Sequence, residues 1–104
     1  MLTHEMKTII ENLNNSFEKY YKLCILTAMQ KDFYKNNFPE FCKVKEFYNE
    51  ISKQYSENIK MLSFIENHYT DRQKIKLLPQ LRETAAQQAK YEFIIWKRSC
   101  WEDK

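Results

Sequence analysis

Apolar residues in the first third of the chain recur in alternating steps of four and three. This spacing places them on one face of an α-helix, so it predicts a first helix over residues 3–36. Towards its end further apolar residues widen the face, and we expect contact with more than one neighbour and a bend or an end near Lys31. The series itself consists of Met6, Ile10, Leu13, Phe17, Tyr20 and Cys24.

The segment from Asn36 to Pro39 is a predicted break between helices. The residue before a proline is pushed away from helical angles, whereas proline itself suits the first turn of a helix. A second helix is therefore expected over residues 40–69.

This second helix carries a heptad seam, in which steps of three and four alternate over about four heptads. Its members are Phe41, Val44, Tyr48, Ile51, Tyr55, Asn58, Leu62, Ile65 and Tyr69. Asn58 is the one member that is neither apolar nor aromatic, and it has two interpretations. Either it is a buried polar residue that sets register or oligomeric state, or the seam shifts locally onto Ile59. The shift is favoured, because helical bundles depart from strict heptads more often than they bury an unpaired amide.

The end of the second helix and the start of the last one carry their own signals. Thr70 and Gln73 have the spacing of a capping box, which predicts a break after Tyr69. A short turn then leads to Pro79, and a last helix is expected over 80–102, opening at Gln80. Its predicted inner stripe tapers from small to large residues, which favours converging helices: Leu81, Ala85, Ala89, Phe93, Trp96 and Cys100.

These patterns predict a single all-α domain over residues 1–104. We expect a small bundle of three main helices, a long helical hairpin plus a C-terminal helix, with coiled-coil-like packing and a rod-like shape. The complete absence of glycine agrees with this prediction, because glycine supplies the positive φ of tight turns. It also excludes the usual forms of the phosphate-binding loop, the dinucleotide fingerprint, the nucleophile elbow and the EF-hand loop.

The cysteine content indicates a cellular location, whereas the net charge identifies no partner. The net charge of +3 is below that of a dedicated nucleic-acid binder. Three widely spaced cysteines are typical of free thiols in a reducing compartment, so we expect a cytoplasmic protein. Residues 1–11 are too polar for a signal peptide, and the apolar run 93–96 is too short for a membrane span.

No combination of residues indicates catalysis. His4 and His68 are expected to be solvated on helix surfaces, and the chain has no Glu-x-x-His pair of the di-iron type. Cys24, Cys42 and Cys100 lack the short spacings of a zinc site. We therefore expect no catalytic residue, no cofactor, no metal and no enzyme.

Two segments have the composition of binding surfaces. The last helix is apolar on more than one face, either to complete the protein's own core or to bind a partner. Its candidate partner-binding residues are Tyr91, Phe93, Ile95, Trp96, Arg98 and Trp101. The leading hypothesis is a non-enzymatic protein that acts through protein–protein contacts or self-association, as an adaptor, a chaperone-like escort, an inhibitor or a subunit of a larger assembly.

The alternative hypothesis is a small nucleic-acid-associated protein. Lysines lie among aromatic residues around the first link, a combination that can bind single strands by charge and stacking. Acidic residues interrupt this cluster, which also fits an ordinary solvated helix junction. The candidate residues are Lys31, Lys35, Lys43 and Lys45.

Overall fold

The structure, a computed structural model, describes residues 4–37 and 42–102, without the side chains of residues 6, 37, 42–45, 47 and 100–102. Within these ranges all regular structure is helical. The helices are α1 (His4–Asn37), α2 (Cys42–Glu66), α3 (Asp71–Lys76) and α4 (Leu78–Glu102). The predicted all-α bundle of three main helices is confirmed.

Helix α1 is the element on which the other long helices pack. Its main contacts are with α2 and with α4, while α3 packs against α4. Phe17 of α1 meets Tyr69, and Lys31 meets Tyr48 and Tyr55, so α2 runs antiparallel to α1. Helix α4 runs parallel to α1, because Arg82 lies over Phe17 whereas the later Trp96 packs on Phe33. The molecule measures 58 × 23 × 22 Å, which is the expected rod.

The first helix continues past Lys31 to Asn37, so it does not end near Lys31, and a bend at that point stays a prediction. This end agrees with the predicted break at Asn36. The predicted start of the second helix at residue 40 lies outside the described residues. Helix α2 is described from Cys42 onward.

The predicted end of the second helix at residue 69 is wrong by three residues. The N–H groups of His68 and Tyr69 donate to the carbonyls of Ile65 and Glu66, 3.0 and 3.1 Å away. These bonds span three residues instead of four, so the chain tightens into a turn after Glu66. Tyr69 is nevertheless buried, and it completes the seam from outside the helix.

The capping box is present as predicted. The Thr70 hydroxyl accepts a hydrogen bond from the Gln73 N–H, and the Gln73 side chain accepts one from the Thr70 N–H. This cap starts α3. The last helix begins at Leu78, two residues before the predicted Gln80, because the Leu77 carbonyl already accepts the N–H of Leu81. Pro79 is accommodated there, since first-turn residues need no N–H partner.

The core is deepest where the first helix meets the turn after α2 and the start of α4. Its buried members are Phe17, Ile65, Tyr69 and Leu78. The Phe17 ring stacks on Tyr21 at 5.7 Å and meets the edge of Tyr69 at 5.8 Å. The Tyr69 hydroxyl donates to Asn14 Oδ1 at 2.9 Å, so its polar end is satisfied.

The inner side of α4 has the predicted taper. Ala85 and Ala89 are fully buried, which lets the backbones of neighbouring helices approach closely. One and two turns further on, Phe93 and Trp96 fill the wider space with aromatic rings. Cys100 lies beyond them, and its side chain is outside the described residues.

The favoured shift of the α2 seam onto Ile59 is wrong. Ile59 is 39% exposed, whereas Asn58 is half-buried and keeps the seam position. The antiparallel register that puts Phe17 beside Ile65 places Asn58 level with Cys24 on α1. A role for Asn58 in setting register or oligomeric state stays a prediction.

Substitution of Phe17 tests where the core is centred. Phe17→Ala should lower the free energy of unfolding by about 3–5 kcal/mol, the usual cost of emptying a fully buried aromatic site. Urea denaturation followed by circular dichroism measures it. The control is Ile9→Ala, an exposed position on the same helix, which should change stability by less than about 0.5 kcal/mol. Equal effects of the two substitutions would contradict this account of the core.

A candidate interaction surface on the last helix

The last helix has an inner face that packs on α1 and an outer face that packs on nothing described. Of the six candidate partner-binding residues, Phe93 and Trp96 lie on the inner side. The Trp96 ring centroid is 5.4 Å from those of Phe33 and Tyr34, and Phe93 stacks on Trp96 at 5.7 Å. These two residues therefore contribute to the protein's own packing.

The outer α4 face, which we define as Tyr91, Ile94, Ile95 and Arg98, contains the other described candidates. Tyr91 is 67% exposed, Ile94 50% and Ile95 51%. Steps of three and four join them to the exposed Arg98, so they form one stripe along the helix. Trp101 follows Arg98 at the same spacing, but its side chain lies outside the described residues.

The outer α4 face is bordered by positive charge. Lys90 and Arg98 are exposed beside it, whereas Lys97, although also exposed, has its ammonium over the inner Phe33 ring, 5.7 Å from the centroid. Glu92 is the only acidic residue between Gln87 and Ser99, and its carboxylate accepts a hydrogen bond from Lys22 of α1 at 3.2 Å. The one carboxylate of this segment is thus paired within the molecule, which leaves Lys90 and Arg98 as the exposed charges beside the stripe.

A shallow depression lies along one side of this stripe. It is lined by Gln87, Gln88, Tyr91 and Glu92 and has a volume of about 320 Å³. The depression is open to solvent, and its exposed lining is mostly apolar although Gln87, Gln88 and Glu92 contribute to it. Such a lining suits an apolar side chain from a neighbouring molecule more than a small charged ligand.

A second exposed apolar surface lies on α2. We define the outer α2 face as Glu57, Met61 and Phe64, which follow one another at steps of four and three. Phe64 is 61% exposed, and its ring contacts His68 edge to face at 4.9 Å. Sequence reasoning assigned Met61 and Phe64 to no surface, although their spacing outside the seam residues is a signal that could have found them.

The lysine cluster of the nucleic-acid alternative is only partly available. Lys31 Nζ lies over the rings of Tyr48 and Tyr55 at 5.6 and 5.5 Å, so this charge is engaged between α1 and α2. Lys35 is exposed. The side chains of Lys43 and Lys45 lie outside the described residues. The structure therefore brings no described set of free lysines together at this junction.

The candidate nucleophile and bases are not grouped. Cys24 is a buried free thiol, and burial, with a smaller contribution from the charge of Glu66, raises its pKa. A raised pKa keeps the thiol protonated and unreactive at neutral pH. His4 and His68 are both exposed, and a His68 ring nitrogen lies 2.9 Å from the Phe64 carbonyl oxygen. Among the described residues no group of three or more His, Cys, Asp and Glu could hold a metal ion.

Comparisons with protein-family models, curated proteins and solved structures find no match to this chain. No helix in the described ranges has an apolar run long enough to cross a bilayer. Any assignment of function therefore depends on the surfaces described above.

Paired substitutions on α4 test the division between its two faces. Trp96→Ala should lower the free energy of unfolding by about 2 kcal/mol or more, because it removes ring contacts with Phe33 and Tyr34. Ile95→Ala should change it by less than about 0.5 kcal/mol, because Ile95 packs on little. Urea denaturation of both variants measures the difference. A larger loss of unfolding free energy in Ile95→Ala than in Trp96→Ala would mean that the core lies on the other side of α4.

Alkaline pH should weaken the core through Tyr69. Burial, reinforced by the charge of Glu18, raises the pKa of Tyr69 from 10.0 to about 12. Between these values an unfolded chain loses the phenolic proton and the folded chain keeps it. Stability from this group is therefore complete below pH 10 and declines as the pH rises towards 12.

Thermal melts of the wild type and of Tyr69→Phe across this pH range measure the effect. Tyr69→Phe should melt lower at neutral pH, since it loses the hydrogen bond to Asn14, and the two melting temperatures should converge as the pH rises. Ile9→Ala is the control, because it shortens an exposed side chain that does not ionise and should differ from the wild type by the same amount at every pH. A difference in melting temperature between the wild type and Tyr69→Phe that stays the same at every pH would contradict the raised pKa of Tyr69.

Proposed function

We propose that this protein is non-enzymatic and acts through protein–protein contacts made by the outer α4 face, as an adaptor, an escort, an inhibitor or a subunit of a larger assembly. The observation that carries the proposal is the exposed row of Tyr91, Ile94, Ile95 and Arg98 on a helix whose inner side is well packed. Single exposed apolar residues are ordinary on protein surfaces, but a continuous stripe of them is a common sign of an interaction site.

The chemistry of the stripe suits a protein partner. Tyrosine and arginine are enriched among the residues that contribute most to binding energy at protein interfaces. Tyr91 borders the shallow depression, so an apolar side chain of a partner could pack beside its ring. The exposed Lys90 and Arg98 favour a partner surface that carries carboxylates.

The available chemistry supports a role other than catalysis. The buried Cys24 is held protonated, and the two histidines lie at the start of α1 and after α2, each exposed. A general base needs a nucleophile or substrate group within hydrogen-bond reach, and neither histidine has such company among the described residues.

Site-specific crosslinking in the source cell tests this proposal. A photo-crosslinking benzoylphenylalanine at Ile94 should form specific adducts with protein, because Ile94 lies in the middle of the outer α4 face. Placed at Ile75, which is 75% exposed on α3, the same group should give only background. The additional substitution Tyr91→Ser should abolish the Ile94 adducts. Adducts of equal yield from the two positions, or adducts with nucleic acid alone, would contradict the proposal.

A further inference from the structure

The three residues of the outer α2 face match three of the four residues of the outer α4 face in spacing. Along α2, Phe64, Met61 and Glu57 lie at steps of three and four towards its start. Along α4, Tyr91, Ile94 and Arg98 lie at the same steps towards its end. Two helices paired antiparallel would therefore bring each member of one series level with one member of the other.

The matched positions are chemically complementary. In this antiparallel register Phe64 is level with Tyr91, Met61 with Ile94, and Glu57 with Arg98. The first pair joins two aromatic rings, the second a flexible methionine and an isoleucine, and the third an acid and a base. One register thus pairs all three residues of the outer α2 face and leaves Ile95 as the one residue of the outer α4 face without a partner at its level.

The two faces cannot meet within one molecule. Glu66 marks the side of α2 that is turned towards α4, because its carboxylate lies 3.8 Å from the Arg82 guanidinium. At about 100° per residue, Glu57, Met61 and Phe64 lie roughly 140–180° around the helix from Glu66. The outer α2 face is therefore turned away from the α4 helix of its own chain.

We propose that the outer α4 face binds the outer α2 face of a second copy of this chain, with the two helices antiparallel and Arg98 of one copy paired with Glu57 of the next. This inference rests on the proposed function and names the partner of the same surface.

Charge favours this pairing over a symmetric one. Two outer α4 faces brought together would oppose Lys90 and Arg98 of the two copies, and Glu92, the one carboxylate in the segment 87–99, is paired with Lys22. The α2 surface supplies the exposed carboxylates Glu50 and Glu57, although Lys53 and Lys60 lie along its border. Like charges placed opposite one another oppose association, so the α2 surface is the better partner.

The pairing has a structural consequence. It joins two different surfaces, so each copy bound at one end still offers a free surface at the other, and short open chains form instead of closed pairs. The stripes are narrow compared with standard interfaces, so the association is weak and depends on concentration.

Charge reversal and mixing test the pairing by sedimentation velocity over a concentration series in reducing buffer. The wild type should increase in mass from 12.8 kDa with concentration, and less so at about 0.5 M salt. Arg98→Glu and Glu57→Arg should each raise the apparent dissociation constant by about tenfold or more, because each sets like charges against one another. An equimolar mixture of the two variants should associate again, since every contact between unlike copies then joins an acid to a base.

The matched controls are Lys76→Glu and Glu11→Arg, which reverse exposed charges outside both faces and should associate like the wild type. Circular dichroism of all four variants should show unchanged helicity. Loss of association with Arg98→Glu alone, with Glu57→Arg unaffected, would overturn the proposal in favour of symmetric α4 pairing. Failure of the mixture to associate would also overturn it.

Two further outcomes separate this proposal from the proposed function. A wild type that stays at 12.8 kDa, combined with Ile94 adducts to a different protein, would overturn self-association and leave the α4 contact surface standing. A monomer that binds phosphatidylserine vesicles but gives no protein adduct would overturn both, because the basic stripe would then be a membrane-binding surface.

Discussion

The burial of Phe17 is the constraint on which this fold depends. Phe17 is fully buried in α1, and its ring contacts Tyr21, Tyr69 and the guanidinium of Arg82. These contacts bring the turn after α2 and the start of α4 to the same level of the first helix. Because α1 supports both long neighbours, it must be apolar on more than one side, as the widened pattern near Cys24 indicates. A substitution at Phe17 would therefore weaken the packing of α2 and of α4 on α1 together.

Several polar groups in the packed region find partners locally, although the buried Ser52 Oγ has no hydrogen-bond partner among the described residues. The buried Thr27 hydroxyl donates to the carbonyl of Leu23 at 2.7 Å, and Lys31 rests over two tyrosine rings. Lys22 and Glu92 pair between α1 and α4. These arrangements let polar side chains lie between helices without an unpaired charge. They also engage charges, such as that of Lys31, that the sequence alone would leave available to a partner. The lysine cluster near the first link therefore has fewer available charges than its composition indicates.

The sequence predicts the helices well because the fold depends on local signals. Heptad spacing, two prolines and the Thr70 capping box place the described ends of the three main helices to within three residues, whereas the end of α3 at Lys76 is not predicted. The errors arise where tertiary packing overrides the local pattern. Tyr69 keeps its seam position although the helix has ended, and Asn58 keeps its position because moving the seam onto Ile59 would turn the stripe away from α1. Neither outcome can be seen without the neighbouring helix.

The candidate surface is less predictable from sequence. Apolar residues on two sides of α4 indicate that one side faces a neighbour, but the pattern does not identify which. Contacts with Phe33 and Tyr34 decide it, since they take Phe93 and Trp96 inward and leave Tyr91, Ile94 and Ile95 outside. The spacing of Met61 and Phe64 is visible in the sequence. Its meaning depends on the direction of α2 relative to α4, which only the three-dimensional arrangement supplies.

Native-state hydrogen exchange resolved by residue tests the central claim, that α1 supports both other long helices. Amides of α1 around Phe17 to Thr27 should exchange most slowly and only through global unfolding, because opening them removes the packing of α2 and α4 together. Amides near the ends of α2 and α4 should exchange sooner. Slow exchange in α2 or α4 that persists after α1 has opened would contradict the account, since those helices would then be stable without the helix on which they are said to depend.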